Sequence, residues 1–154
     1  MFKYEFPRPR ITVDVVILKP AAFNEYEVVL VKRKQEPYKG KLALPGGHLE
    51  IEIERIHEAA CREVLQETGL HIRPSHLRFV NYYDSLKRHP YDRVITFGFV
   101  VLLDSSTTPE IKIQDLDEVE SCSWYKLEEA KNLAYDHDKI LEEAMRLIGR
   151  INYV

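Results

Sequence analysis

The chain has 154 residues, of which 45% are hydrophobic, and its 22 basic and 25 acidic residues give a formal net charge of -3 at pH 7. A chain of this length forms one domain that buries about 70% of its unfolded surface, so we expect a single domain over residues 1–154 and no DNA-binding module. The lack of a basic excess disfavours a nucleic-acid groove, but it is compatible with a small pocket for phosphate groups.

We expect no export signal in the N-terminal segment. Residues 1–11, MFKYEFPRPRI, lack the apolar core of a signal peptide. No window of the sequence approaches the ~20 apolar residues that a membrane span requires. We therefore expect a cytoplasmic protein with neither a membrane nor a nucleic-acid partner.

Three strands are predicted before the first helix. Ile11, Val13, Val15 and Ile17 alternate with Thr12, Asp14 and Val16, and Tyr26–Val31 repeats this strand-like pattern. Lys41–Leu44 is a short third strand that leads into Pro45–Gly47. Because glycine adopts backbone conformations closed to other residues, we predict a loop at Pro45–Gly47.

An acidic helix is predicted after this loop. Glu63 and Glu67 are four residues apart, which places them about 40° apart around a helix with ~3.6 residues per turn. Like charges at this spacing destabilise an isolated helix by roughly 0.2–0.5 kcal/mol, so the pair is compatible with a bound cation. A solvated acidic face is the alternative, because most acidic helices are of that kind.

The opposite side of the same helix is apolar and is expected to pack against a core while the acids face outward. Its apolar residues recur at intervals of three and four: Ile56, Ala59, Ala60 and Val64. We expect Arg62 to neutralise Glu58, one turn earlier. Gly69 suits the left-handed position that ends a helix.

The second half of the chain adds strands and a final helix. The predicted elements are strands at Leu77–Tyr83, Val94–Leu103 and Glu120–Tyr125, an exposed loop at Asp104–Glu118 with at most a short strand at Ile111–Ile113, a short helix at Leu127–Leu133, and an amphipathic helix that starts at Asp136 or Asp138. Strands before, around and after two main helices indicate an α/β fold, with a mixed sheet and helices on its faces.

The segment 46–70, GGHLEIEIERIHEAACREVLQETGL, closely resembles the signature of the Nudix hydrolases, G-x5-E-x7-R-E-U-x-E-E-x-G-U with U aliphatic. The matching residues are Gly47, Glu54, Arg62, Glu63, Val64, Glu67, Gly69 and Leu70. Two departures stand out: six residues rather than five separate Gly47 from Glu54, and Gln66 replaces a glutamate. The resemblance implies a Nudix-type α/β/α sandwich.

The resemblance also implies hydrolysis of a nucleoside diphosphate linked to another group. Oxygen ligands with open positions suit Mg²⁺, and we expect Mn²⁺ to substitute for it. Glu63 and Glu67 are the expected ligands, with Glu54 assisting and the neutral carboxamide of Gln66 weakening the site. Arg62 is expected to orient Glu63 or to offset charge.

A general base and phosphate contacts complete the expected site. Glu118 and Glu120 are the candidates for the base, since the family often takes it from a distant loop; the alternative is that they are ordinary exposed acids. Gly46, Gly47 and His48 are expected to approach the substrate. Arg33 and Arg93 are candidate phosphate contacts, because guanidinium binds phosphate in bidentate fashion, and the alternative for each is a solvated surface residue.

The segments that flank the signature narrow the range of expected substrates. Residues 7–18, 28–47 and 88–101 and the sequence LAYDHDKIL look like the branch that contains ADP-ribose pyrophosphatases and a regulator of NAD metabolism. The leading hypothesis is hydrolysis of ADP-ribose to AMP and ribose 5-phosphate. The alternatives are a sensor that binds ADP-ribose without cleaving it and an enzyme that cleanses damaged nucleoside triphosphates. A homodimer is implied only by the resemblance to this branch, in which homodimers are common.

Overall fold

The computed structural model describes residues 1–104 and 110–152. In this part of the chain seven strands form one sheet that is flanked by two α-helices. The strands are β1 (Arg10–Pro20), β2 (Tyr26–Arg33), β3 (Leu42–Ala43), β4 (Gly46–His48), β5 (Arg78–Tyr83), β6 (Val94–Leu102) and β7 (Val119–Lys126). The helices are α1 (Ile56–Thr68) and α2 (His137–Asn152). None of the helices in residues 1–104 and 110–152 is both long and apolar enough to cross a bilayer.

The sheet is mixed, as predicted. Its main path runs β3-β2-β1-β6-β5, with β4 paired to β1 and β7 paired to β2. Strand β1 runs parallel to β6, from the pair Arg10–Val94 to the pair Leu18–Leu102, while it runs antiparallel to β2 and β4. Because β1 is central, its residues Val13–Leu18 are buried on both faces of the sheet.

The two helices cover opposite faces of the sheet. Val13, Val15 and Ile17 of β1 pack in the same cluster as Ala59, Ala60 and Val64 of α1. Val16 and Leu18, on the other face of β1, pack in the same cluster as Ile140, Leu141 and Ala144 of α2. The alternation of side chains along β1 therefore builds two cores, and the predicted α/β/α sandwich is confirmed.

Two local predictions differ from the structure, and a third is tested only in part. Gly46 and Gly47, predicted as part of a loop, belong to β4 and pair with Asp14 and Val13 of β1. The predicted helix at Leu127–Leu133 is a 3₁₀ turn of three residues, Leu127–Glu129. The predicted loop Asp104–Glu118 includes residues 105–109, which lie outside the described residues, and its described part, 110–118, contains no strand.

The end of α1 is held by this later segment. Gly69 has φ +76 and ends the helix as predicted. The backbone N–H of Lys112 donates to the carbonyl of Thr68 at 2.8 Å, and the N–H groups of Gln114 and Asp115 donate to the carbonyl of Gln66 at 2.8 Å each. These bonds satisfy carbonyls that the last turn of a helix leaves without an internal partner.

Candidate active site

Glu67 is buried at the junction of α1 and β4. It is 5% exposed, and its Oε2 accepts a hydrogen bond from the backbone N–H of Gly46 at 2.9 Å. Burial raises the pKa of Glu67 well above its usual range, and the nearby charges of Glu63 and Glu118 raise it further. The expectation that the acids of this helix face outward is therefore wrong for Glu67.

Glu63 lies against the glycine strand. A Cβ added to Gly47 would lie 2.4 Å from Oε1 of Glu63, so only glycine allows this carboxylate to approach so closely. Burial raises the pKa of Glu63, while the hydrogen bond from Arg62 opposes that rise and the charge of Glu118 adds to it. Glu63, Glu67 and Glu118 thus act on one another as like charges in a poorly solvated place.

Arg62 connects the carboxylates around this place. Its Nε and Nη2 donate to the two oxygens of Glu54, at 2.9 and 2.7 Å. Its Nη1 donates to Glu63 at 2.8 Å and to the side chain of Gln66 at 3.1 Å, and its Nη2 also donates to the carbonyl of His48 at 2.9 Å. The hydrogen bonds from Arg62 lower the pKa of Glu54 below its usual value.

The predicted pairing of Arg62 with Glu58 is wrong. Glu58 instead accepts a hydrogen bond from the backbone N–H of Arg55 at 2.7 Å, where it caps the start of α1. A carboxylate in the first turn of a helix also interacts favourably with the helix dipole. Arg62 is left free to bind Glu54 and Glu63.

The residues fit a divalent cation with two carboxylate ligands rather than three. Both oxygens of Glu54 are taken by Arg62, and residues 1–104 and 110–152 hold no cluster of three or more His, Cys, Asp or Glu side chains arranged for a metal. Mg²⁺ is commonly bound by one or two carboxylates together with water and substrate phosphates. Glu63 and Glu67, whose mutual repulsion a cation would relieve, match that donor set.

Glu67 lines a cavity of about 370 Å³ between β1, β4 and the loops around them. The charged residues that line it are three arginines, Arg10, Arg33 and Arg88, and five acids, Asp14, Glu36, Glu67, Asp92 and Glu118. Three positive and five negative charges give a formal balance of -2, so the cavity by itself repels a polyphosphate. A bound cation would reverse the sign of that interaction near Glu67.

Most of the predicted substrate contacts line this cavity. Gly46, Gly47, His48, Arg33 and Glu118 all belong to its wall. Arg33 donates from Nε to the carbonyl of Pro37 at 2.8 Å, which holds its guanidinium beside the cavity. Burial and the charge of Arg10 lower the pKa of His48, which favours the neutral imidazole at pH 7.

Two predicted residues are not brought to the cavity. Glu120 is turned toward solvent, with its side chain 54% exposed and 3.8 Å from the ammonium of Lys32. Arg93 donates to the carbonyl of Asp84 at 2.7 Å and does not contribute to the cavity wall. Of the two candidate bases, the geometry therefore favours Glu118.

The sequence reasoning missed a second polar group in the wall, formed by Asp14, Arg88 and His137. Oδ2 of Asp14 lies 3.3 Å from Nε2 of His137 and 3.9 Å from Nη2 of Arg88. A signal was present in the sequence, because Asp14 stands in the continuous run Val13–Leu18. A strand so apolar on both faces is buried, and a buried carboxylate needs partners.

Comparison with known proteins identifies the family of the chain. The NUDIX domain family matches residues 8–144, which is most of the chain. The chain belongs to the Nudix family. The predicted family and the classification as a Nudix hydrolase are confirmed.

Relatives of this Nudix protein include an enzyme and a regulator. It is 34% identical over 138 residues to the ADP-ribose pyrophosphatase of Methanocaldococcus jannaschii, covering 90% of this chain and 74% of that protein. It is 29% identical over 155 residues to the ADPR-responsive transcriptional repressor NtrR of Acinetobacter baylyi, covering 98% of this chain and 59% of that protein.

The fold has a close counterpart among solved structures. The NUDIX domain of Shewanella oneidensis NrtR, solved in complex with ADP ribose, superposes with a TM-score of 0.83 at 20% identity, covering 93% of this chain and 90% of that one. At this level of identity the likeness supports the Nudix fold.

Both departures from the Nudix signature have a place in the structure. The extra residue between Gly47 and Glu54 falls in the turns that join β4 to α1, where the N–H groups of Ile53 and Glu54 donate to the carbonyl of Glu50 at 3.1 and 3.3 Å. The β4 strand and α1 are thus undisturbed by it. Gln66 accepts from Arg62, a contact that its neutral carboxamide makes without adding charge.

Proposed function

We propose that this Nudix protein hydrolyses the pyrophosphate bond of a nucleoside diphosphate derivative, with ADP-ribose, cleaved to AMP and ribose 5-phosphate, as its leading substrate. The observation that carries the proposal is the pair of neighbouring carboxylates, half-buried Glu63 and buried Glu67, of which Glu67 lines the cavity. The likeness to an ADP-ribose pyrophosphatase supports the choice of substrate.

Glu63 and Glu67 would hold Mg²⁺, with Mn²⁺ as a substitute, and Glu54 would act through Arg62. When bound, the cation neutralises the diphosphate and makes a water molecule easier to deprotonate. Arg62 fixes Glu63 by its 2.8 Å hydrogen bond and is itself fixed by both oxygens of Glu54. The N–H of Gly46 holds one oxygen of Glu67, which leaves the other oxygen available as a ligand.

Glu118 is the proposed general base. Its position in the cavity wall supports this role, and so does the contribution of its charge to the raised pKa of Glu63 and of Glu67. In this proposal Glu118 accepts the proton of the attacking water, the water oxygen bonds to phosphorus, and the bridging P–O bond breaks. AMP and ribose 5-phosphate then leave, and one water molecule is consumed for each ADP-ribose cleaved.

The deciding experiment measures AMP release from ADP-ribose with Mg²⁺ and with a chelator. Wild-type protein is expected to release AMP only with the cation, and Glu63→Gln and Glu67→Gln are each expected to lose most of the activity while their circular dichroism spectra stay unchanged. Glu52→Gln, an exposed acid in the turns before α1, is the control and should keep full activity. Undiminished turnover in both α1 variants would falsify the metal assignment.

A sensor of ADP-ribose is the second candidate. Two observations favour it: the likeness to a repressor that responds to ADPR, and Gln66 in place of a signature glutamate. A sensor would bind ADP-ribose in a titration yet release no AMP with Mg²⁺ or Mn²⁺. The same assay therefore separates the two candidates.

A further inference from the structure

A largely buried ionic group, apart from Glu63 and Glu67, contributes Arg88, Asp14 and His137 to the cavity wall. We call it the Arg88 cluster, and it consists of Arg88, Asp136, Asp14 and His137. Arg88 is 7% exposed and donates from Nε and Nη2 to the two oxygens of Asp136, at 3.0 and 2.6 Å. These contacts tie the loop before β6 to the start of α2, and the approach of Nη2 of Arg88 to Oδ2 of Asp14, at 3.9 Å, links the same loop to the central strand β1.

The charge of the Arg88 cluster is unsuited to a phosphate group. His137 accepts a hydrogen bond at Nδ1 from the backbone N–H of Leu44, at 3.0 Å, so its ring proton lies on Nε2, which faces Asp14. The formal charges of one arginine and two aspartates in the cluster sum to -1. A phosphate placed here would meet a like charge in a poorly solvated place.

The cluster nevertheless presents hydrogen-bonding atoms to the cavity. Asp136 occupies two of the three guanidinium nitrogens of Arg88, and Nη1 makes no hydrogen bond to another residue of the described chain. Arg88 and Asp14 line the cavity together with Thr12 and Thr96, whose hydroxyls are hydrogen-bonded to each other. Donors, acceptors and hydroxyls with no excess of positive charge are the surroundings that a neutral, hydroxyl-rich group requires.

Gly46 places this group beside the proposed metal site. Its N–H donates to Glu67, and a Cβ added to it would lie 2.4 Å from Oδ1 of Asp14. A single residue without a side chain therefore separates Glu67 from Asp14. A diphosphate held near Glu67 would bring its attached group within reach of the Arg88 cluster.

We propose that the Arg88 cluster binds the neutral sugar attached to the diphosphate, through Nη1 of Arg88 and the carboxylate of Asp14, and disfavours a further phosphate in the same place. The inference rests on the proposed function for the position of the diphosphate. Arg88 and Asp14 are then specificity-determining residues, and they select a nucleoside diphosphate sugar over a nucleoside triphosphate.

Binding titrations test this without requiring turnover. Wild-type protein and variants are titrated with ADP-ribose and with ATP, with Ca²⁺ in place of Mg²⁺ and with a product assay that verifies that the nucleotides stay intact. The readout is the ratio of the two Kd values. Asp14→Asn keeps the shape of the side chain, Arg88→Lys keeps the charge, and Thr12→Val removes a hydroxyl. Asp92→Asn, another carboxylate of the cavity wall, removes the same charge outside the Arg88 cluster.

Wild-type protein is expected to bind ADP-ribose more tightly than ATP. Asp14→Asn and Arg88→Lys should each reduce that preference by about tenfold, the effect of losing one hydrogen bond to a charged group, and Thr12→Val should reduce it less. Asp92→Asn should change both Kd values by a similar factor. A merely structural role would lower the melting temperature and weaken both ligands equally.

The inference is overturned if wild-type protein shows no preference, or if every variant of the Arg88 cluster that melts as the wild type does keeps the wild-type ratio. If Asp14→Asn or Arg88→Lys does not fold, the ratio in the other of these two variants decides, together with the ratio in Thr12→Val. A preference that the variants abolish, in a protein that releases no AMP with Mg²⁺, upholds the sugar site and rejects the proposed hydrolysis. The two proposals can therefore fail separately.

Discussion

Arg62 and Glu54 form a two-point ion pair, with 2.9 Å between Nε and Oε2 and 2.7 Å between Nη2 and Oε1. The pair joins the turns before α1 to the second turn of the helix. Because the same guanidinium also binds Glu63, the position of that carboxylate depends on the pair. Two of the signature acids thus have different tasks, Glu54 holding Arg62 and Glu63 facing the proposed cation.

Arg62→Lys is expected to lower both stability and activity. Lysine keeps the charge but cannot bind the two oxygens of Glu54 and Glu63 together, so hydrogen bonds to charged groups worth roughly 1.5–3 kcal/mol are lost. Thermal unfolding and AMP release measure the two effects. Arg146→Lys is the matched control, because Arg146 pairs with Glu142 on the surface, where their side chains are 65% and 62% exposed, and it should change neither.

Gly47→Ala is expected to abolish most of the hydrolysis while the fold persists. The added Cβ would lie 2.4 Å from Oε1 of Glu63, so the carboxylate must move away from its place beside β4. Gly149→Ala, in α2, meets nothing within 4 Å and should stabilise the protein slightly. Full activity in Gly47→Ala would show that the observed position of Glu63 is not needed.

The stability of the metal-free protein is expected to fall as pH rises. Burial raises the pKa of Glu63 and Glu67, so the folded state binds more protons than the unfolded state above the usual glutamate pKa of about 4.3. The contribution of Glu63 and Glu67 to the free energy of unfolding is fully present below that value. It is lost as pH rises through their raised pKa. Glu54, with a lowered pKa, works in the opposite direction, and its contribution is lost only as pH falls.

Mg²⁺ should counter this loss, because it binds the ionised carboxylates. The rise in melting temperature on adding Mg²⁺ is therefore expected to grow between about pH 5 and pH 8. Melting curves with Mg²⁺ and with a chelator measure it. Glu67→Gln should remove most of this growth and should melt higher than the wild type in chelator at the upper end of the range, since glutamine can still accept from Gly46. An equal effect of Mg²⁺ on both proteins would contradict the assignment.

The general architecture could be predicted because it depends on local patterns. The strand-like pattern of β1 and the apolar side of α1 both follow from the spacing of residues along the chain, and Gly69 marks the end of α1. The role of Gly46 and Gly47 could not be read this way. Whether a glycine serves a loop or a close approach depends on what lies opposite it, here Asp14 and the carboxylate of Glu63.

The cavity was predicted only in part, because its wall comes from distant segments. Glu67 lies on the polar side of α1 by its spacing in the sequence. It is nevertheless buried because β4 and β7 cover it, and the pattern of a helix does not show which strands will pack against it. Arg88 and Asp136 are 48 residues apart and meet only when the loop before β6 packs against α2. Charged residues in loops are usually solvated, so neither residue stood out until the fold brought them together.

Glu118 and Glu120 allow a direct comparison of two similar acids. Glu118 lines the cavity, whereas Glu120, two residues later, is exposed and lies near Lys32. If Glu118 is the general base, Glu118→Gln should lower kcat by about 10²–10⁴-fold with little change in the affinity for ADP-ribose. Glu120→Gln should leave kcat within about twofold of the wild type, as expected for a solvated carboxylate far from the reacting bond.

The pH dependence of kcat separates a base from an acid that only repels its neighbours. Loss of a base should abolish the acidic limb of the profile, because the group that must lose its proton is absent. Loss of a repelling charge near Glu63 and Glu67 should instead move that limb to lower pH and keep its shape, since removing a like charge lowers their pKa. A shifted but intact limb in Glu118→Gln would assign the proton transfer to another group.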